Sequence, residues 1–80
     1  MTNKEILEQV EQVLKEELDN ADIVVTPKTV ADDIEEWDSL ANIQVIIGLE
    51  RKFGIKFTAW QVNGFKNVGE ICECIQSAQG

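Results

Sequence analysis

Histidine and tyrosine are absent from the 80 residues, and proline occurs once. Without histidine the chain lacks the commonest general base, the Ser-His-Asp and Cys-His arrangements, and the ligand of most zinc sites. Self-contained hydrolytic chemistry is therefore not expected. No apolar run exceeds about three residues, far below the roughly 20 that a membrane span needs. The opening Met-Thr-Asn-Lys-Glu shows no apolar signal segment. A cytoplasmic protein is expected. There are two cysteines, Cys72 and Cys74, and at that spacing on a helix their side chains point about 200° apart. They cannot bridge each other, and without histidine or a second pair they make no structural zinc site, so they read as small buried or boundary residues in a reducing compartment. Basic residues are scarce, 7 Lys and Arg against 15 Asp and Glu, for a net charge of −8. Such an excess repels a phosphate backbone, so a nucleic-acid partner is not expected.

What is present fits one small globular domain over residues 1–80. The hydrophobic fraction is 44%, ordinary for a folded domain. A chain of this length buries only about 60% of its unfolded surface, which leaves no room for a large catalytic cleft. Thr2 followed by Glu5 is a capping-box pattern. Ile6, Leu7, Val10, Val13, Leu14 and Leu18 then recur at three- and four-residue spacing, predicting an amphipathic helix over roughly 3–18. From Asp19 to Trp37 the periodicity lapses around Ile23, Val24, Val25 and Val30. Those residues could form a strand, but with no second strand to pair it the stretch reads as a long ordered loop.

A second helix starts at the N-cap Asp38 and runs to Phe53, where Gly54 ends it. Placing Val45, Ile46, Leu49 and Phe53 on the core leaves Leu40, Gln44, Ile47 and Arg51 on the opposite face. That face is either a partner surface or packing beneath a loop. A short helical turn is expected near Thr58–Asn63, closed by Gly64. Another capping box, Asn67 to Glu70, opens a last helix that buries Val68, Ile71, Cys72 and Ile75. The expected fold is all-α: a small bundle of three main helices and one short one, with a long first connection.

The segment Asp33-Ile34-Glu35-Glu36-Trp37-Asp38-Ser39-Leu40 carries the chemistry. Ser39 falls in the first turn of the second helix, where unsatisfied N–H groups and the positive end of the helix dipole favour an anion. A phosphate ester would be welcome there, and another enzyme could reach the hydroxyl. Nothing in the chain makes that hydroxyl a nucleophile, so taken alone Asp38 is a cap and Ser39 an ordinary first-turn residue. A calcium loop beginning at Asp32 or Asp33 lacks the glycine and the closing glutamate it would need.

With Asp38-Ser39-Leu40 behind an acidic loop and ahead of Leu49-Glu50, Phe53 and Gly54-Ile55, then Asn67-Val68-Gly69-Glu70-Ile71, the chain resembles the acyl carrier proteins and their peptidyl-carrier relatives over nearly its whole length. The resemblance implies a four-helix acyl-carrier-like bundle with 4′-phosphopantetheine attached through a phosphodiester to Ser39 by a phosphopantetheinyl transferase. Asp38 would cap the helix and help that enzyme bind. Leu40, Ile43, Gln44, Ile47 and Arg51 would meet acyl-loading and acyl-transferring enzymes. A long cargo would lie between the second helix and the short turn, among Val45, Ile46, Leu49, Trp60, Val62 and Phe65. A monomer that is not an enzyme and holds no metal is implied.

Departures from the family point to a specialised carrier of a lipid, polyketide or related pathway. Ala41, Gln44, Arg51 and Lys52 stand at or near positions where fatty-acid carriers are commonly acidic, and the acidity lies in front of Ser39 instead. Trp37 resembles carriers of dedicated biosynthetic clusters, and is equally readable as an apolar plug for the loop; Trp60 reads as a core residue. The alternatives are an aminoacyl or peptidyl carrier, or an unmodified acidic interaction module using the same helix face.

Overall fold

The Thr2 hydroxyl accepts the Glu5 N–H and the Glu5 carboxylate accepts the Thr2 N–H, each at 3.2 Å, so the first capping box closes in both directions. The Thr2 backbone N–H, and then its hydroxyl, hold the Glu5 carboxyl below its ordinary range. From this start α1 runs Asn3–Glu17 in the computed structural model, which describes residues 2–79. It buries Ile6, Val10, Val13 and Leu14 and leaves Glu8, Gln12 and Glu16 in solvent. Asp19 adopts a left-handed conformation, φ 52°, so that the Asn20 N–H reaches the Lys15 carbonyl at 3.0 Å and closes the helix without a glycine.

The stretch that follows is the expected loop, with a single 3₁₀ turn at Ala31–Asp33. Ile23 and Val25 are buried while Val24 is exposed, the two-residue alternation of an extended chain. Among the described residues no strand pairs with it. The Val25 N–H is instead taken by the Glu11 carboxylate at 3.0 Å, so a side chain of α1 does what a neighbouring strand would do.

Asp38 caps α2, Ser39–Phe53, accepting the Ala41 N–H at 2.8 Å, and Gly54 ends it at φ 64°. Thr58 caps α3, Ala59–Gly64, in a complete box with Gln61. Gly64 is the last helical residue, not a left-handed stop. For α4, Val68–Gln79, Asn67 accepts the Glu70 N–H at 2.9 Å, but the Glu70 carboxylate reaches the Lys66 N–H instead of that of Asn67. The expected reciprocal box therefore closes one residue upstream. The loop completes the cap: the Pro27 and Thr29 carbonyls accept the Gly69 and Val68 N–H groups, each at 2.8 Å. Two donors that a helix start leaves orphaned are thus satisfied by the first connection.

α1 packs against both α2 and α4. Ile6, Val10, Leu14, Val45, Leu49, Val68 and Ile75 form the fully buried centre. Gly48 lets α1 and α2 approach, since a Cβ there would stand 2.9 Å from Val13 Cγ1. The rings of Phe57 and Phe65 meet edge to face, centroids 5.6 Å apart, and seat the α3 segment. Trp37 is a buried plug, 7% exposed. Trp60 departs from its expected place in the core: it is 87% exposed. On a six-residue helix that turns Val62 inward, a residue two positions earlier lies about 200° around the axis and faces out.

Candidate functional site

The long loop delivers the chain to Ser39 through two fixed points. Trp37 is buried, and its indole Nε1–H donates to Asn42 Oδ1 at 2.9 Å. Asp38 then caps α2 with its side chain and accepts the Asn42 N–H with its carbonyl at 2.8 Å. Between these anchors Ser39 is exposed. Its hydroxyl has no hydrogen-bond partner among the described residues, and neither have the backbone amides of Ser39 and Leu40. The first turn of α2 contains no acid. Free amides and the positive end of the helix dipole are thus available to an anion esterified to Ser39. Lys66, distant in sequence, lines the same cleft as Ser39 but makes no hydrogen bond to its hydroxyl. The site offers an accessible, unactivated alcohol, suited to modification by another enzyme.

A cleft of ≈ 370 Å³ opens beside Ser39 between the loop, α2, α3 and the start of α4. Trp37, Val62, Phe65 and Ile71 give it apolar walls; Asn42, Lys66 and Asn67 bring polar groups, as do Asp32 and Asp38. The mixture of apolar surface and hydrogen-bonding groups suits a pantetheine arm, which alternates methylenes with amides. The convergence of Asn42, Lys66 and Asn67 was not anticipated from the sequence, where Asn67 signals only a cap and the other two carry no pattern.

The outward face of α2 does not pack beneath a loop. Leu40 is 78% exposed, Ile43 55% and Ile47 39%, and Gln44 and Arg51 are exposed beside them. Glu50, the one acid of α2, is half-buried and accepts the Phe57 N–H at 2.8 Å, so it is occupied in holding the α2–α3 connection. Arg51 and Lys52 border a shallow groove with Glu16 and Glu17 of α1. The basic end of α2 therefore lies opposite the acidic face of α1, a placement no sequence spacing reveals.

The residues expected to line a cargo pocket are divided by the structure. Ile46 and Val62 do border a groove of ≈ 310 Å³ between α2 and α3, together with Ile43, Ile47 and Phe57. Val45 and Leu49 are fully buried among the core side chains, because they lie on the stripe of α2 that meets α1. Phe65 lines the cleft beside Ser39, and Trp60 stands in solvent. Ile43 and Ile47 thus border this groove as well as the exposed face. Burial raises the Cys72 thiol, with help from the Glu73 charge, from 9.0 to about 11, and burial also raises that of Cys74. Neither is a ready nucleophile near neutral pH. Among the described residues no cluster of metal-ligating side chains occurs, and no helix is long and apolar enough to cross a membrane.

No family model matches the chain. Whole-chain relatives do. It is 32% identical over 79 residues to the acyl carrier protein of Renibacterium salmoninarum, covering 98% of this chain and 96% of that one. It is 26% identical over 80 residues to the meromycolate extension acyl carrier protein of Mycobacterium tuberculosis, covering 99% of this chain and 69% of the relative. The backbone superposes on the solution NMR structure of holo acyl carrier protein from Geobacter metallireducens with a TM-score of 0.86 and 31% identity, over 92% of this chain and 85% of that one. Similarity along nearly the entire length, in sequence and in backbone, shows that the chain belongs to the acyl carrier protein family and is a carrier rather than an enzyme.

Proposed function

We propose that the protein carries acyl intermediates on a 4′-phosphopantetheine arm attached to Ser39 and presents them to partner enzymes of a specialised lipid, polyketide or related pathway in the cytoplasm. The observation that carries this reading is Ser39 itself: exposed, unpartnered, and held at the head of α2 by the Asp38 cap and the Trp37–Asn42 bond. When bound, the arm supplies a terminal thiol that holds cargo as a thioester. The chain's own residues do the rest. Asp38 and the α2 dipole fix and favour the esterified position. Leu40, Ile43 and Ile47 offer apolar contact to a partner, flanked by Gln44 and Arg51. A small exposed surface suits brief visits to a transferase and then to loading and transferring enzymes. Ile46 and Val62 are the residues that a long cargo in the α2–α3 groove would touch.

The test is labelling with a fluorescent coenzyme A analogue and a phosphopantetheinyl transferase. Stoichiometric labelling of the natural chain, lost in Ser39→Ala, is expected. Equal labelling of both proteins would place the arm elsewhere.

A further inference from the structure

The polar groups of the cleft beside Ser39 are not equivalent once their existing bonds are counted. Asn42 Oδ1 is taken by the Trp37 indole N–H at 2.9 Å, and Asn67 Oδ1 by the Glu70 N–H at 2.9 Å. These bonds fix which end of each amide is which, and leave Asn42 Nδ2 and Asn67 Nδ2 as donors without a partner among the described residues. The Lys66 ammonium is likewise unpaired. Three free donors therefore border one cleft, from two separate parts of the chain: the first turn of α2, and the two residues that lead into α4. On the acceptor side, Asp38 Oδ1 is spent on the cap, and the Asp32 carboxylate has no hydrogen-bond partner among the described residues. Trp37, Val62, Phe65 and Ile71 supply apolar wall.

This pattern matches one ligand chemistry. A pantetheine arm presents amide carbonyls that need donors, amide N–H groups that need an acceptor, and geminal methyls and methylenes that need an apolar wall. A bare hydrocarbon chain would desolvate these donors and leave them unsatisfied, which is unfavourable. We propose that the cleft is a resting site for the arm itself, in which Asn42, Lys66 and Asn67 donate to its carbonyl oxygens. The inference rests on attachment at Ser39 and adds where the arm lies between visits to partner enzymes. The arm then has two environments on this protein: the donor-rich cleft beside its root, and the apolar α2–α3 groove whose shared wall is Val62. A short or polar cargo favours the first; a long apolar one favours the second.

The experiment uses holo protein with an isotope-labelled arm, studied by NMR, after intact mass has established modification. In the natural protein, nuclear Overhauser contacts from the arm's methyl groups to Phe65 and Ile71, displaced side-chain amide signals of Asn42 and Asn67 relative to the apo form, and restricted motion of the arm amides are expected. Asn42→Asp and Asn67→Asp keep both accepting oxygens, so the Trp37 bond and the α4 cap persist, while each deletes a donor; Lys66→Met removes the third. The triple variant should keep the natural helical circular dichroism and the same Trp37 indole resonance but lose the contacts to Phe65 and Ile71. A freely mobile arm in the modified natural protein, contacts only to Ile43, Ile47 and Ala59, or contacts that survive in the triple variant would each overturn the proposal. Absence of modification would overturn the carrier reading on which it stands, and the resting site with it.

Discussion

Trp37 and Asn42 are joined by a hydrogen bond of 2.9 Å from indole Nε1 to the amide oxygen, which ties the last buried residue of the loop to the first turn of α2. Ser39 lies between them in sequence, so the bond spans the proposed attachment point like a brace. Trp37→Phe keeps most of the apolar bulk and removes the donor. It should cost about 1 kcal/mol, a fall of about 4–8 °C in melting temperature for a domain of this size. Thermal circular dichroism reads the change directly, and an unshifted melt would show that the bond does not hold the loop.

The loop is also the cap of α4, which gives Gly69 a role that its neighbour Gly64 lacks. A Cβ on Gly69 would stand 2.8 Å from the Pro27 carbonyl oxygen, and one on Gly64 would meet nothing within 4 Å. Gly69→Ala should therefore push the loop from α4 and destabilise by about 1–3 kcal/mol. Gly64→Ala, at a helical position, should stabilise by about 0.4–1 kcal/mol. Urea midpoints for the two variants should move in opposite directions. Amide exchange at Val68 and Gly69 should accelerate in the first variant alone; equal behaviour of the two would refute the capping role.

These two sites mark how far the sequence could be read. Helices were legible wherever a cap and an apolar stripe coincided, as at Thr2, Asp38 and Asn67, because both signals are local. Ser39 stood out as the candidate site because its neighbours carry a family resemblance. The backing of the loop by Glu11, the capping of α4 by Pro27 and Thr29, and the meeting of Asn42 with Lys66 and Asn67 all join residues far apart in sequence, and no periodicity encodes them. Trp60 misled for a related reason. An aromatic usually signals burial, but on a six-residue helix one face already supplies Val62 to the interior and the opposite face is left to solvent.

The pH dependence of stability should carry the signature of Cys72. Its folded value is raised from 9.0 to about 11, first by burial and second by Glu73, so folding favours the protonated thiol. That contribution is fully present below pH 9.0 and is lost as the pH rises through about 11, because the unfolded thiol ionises first. Melting temperature should fall over that window. Cys72→Ala should flatten the fall while lowering the plateau through lost packing; an unchanged slope in the variant would assign the fall to other groups.

Partner choice should depend on the charge of α2. Enzymes that recognise an acidic carrier helix present Lys and Arg, which Arg51 and Lys52 would repel, and Gln44 offers no anion at the centre of the exposed face. Exposed pairs contribute only about 0.2–1 kcal/mol each, so the test is the triple variant Gln44→Glu, Arg51→Glu, Lys52→Glu. Loading by a housekeeping malonyl transferase should improve by one or two orders of magnitude at low salt and less at moderate salt. The same variant sets new carboxylates across the groove from Glu16 and Glu17, so its melting temperature should drop at low salt and recover as salt is added. Efficient loading of the natural protein at both salt concentrations, with no gain in the variant, would remove α2 charge as the selector.

The most direct measurement is the intact mass of the protein purified from cells that also express a phosphopantetheinyl transferase, followed by fragmentation to locate any added mass. A single 4′-phosphopantetheinyl addition on Ser39, absent from Ser39→Ala, is the expected result. A protein that stays at its unmodified mass with several transferases supplied would contradict the carrier reading and leave an acidic interaction module using the same face of α2.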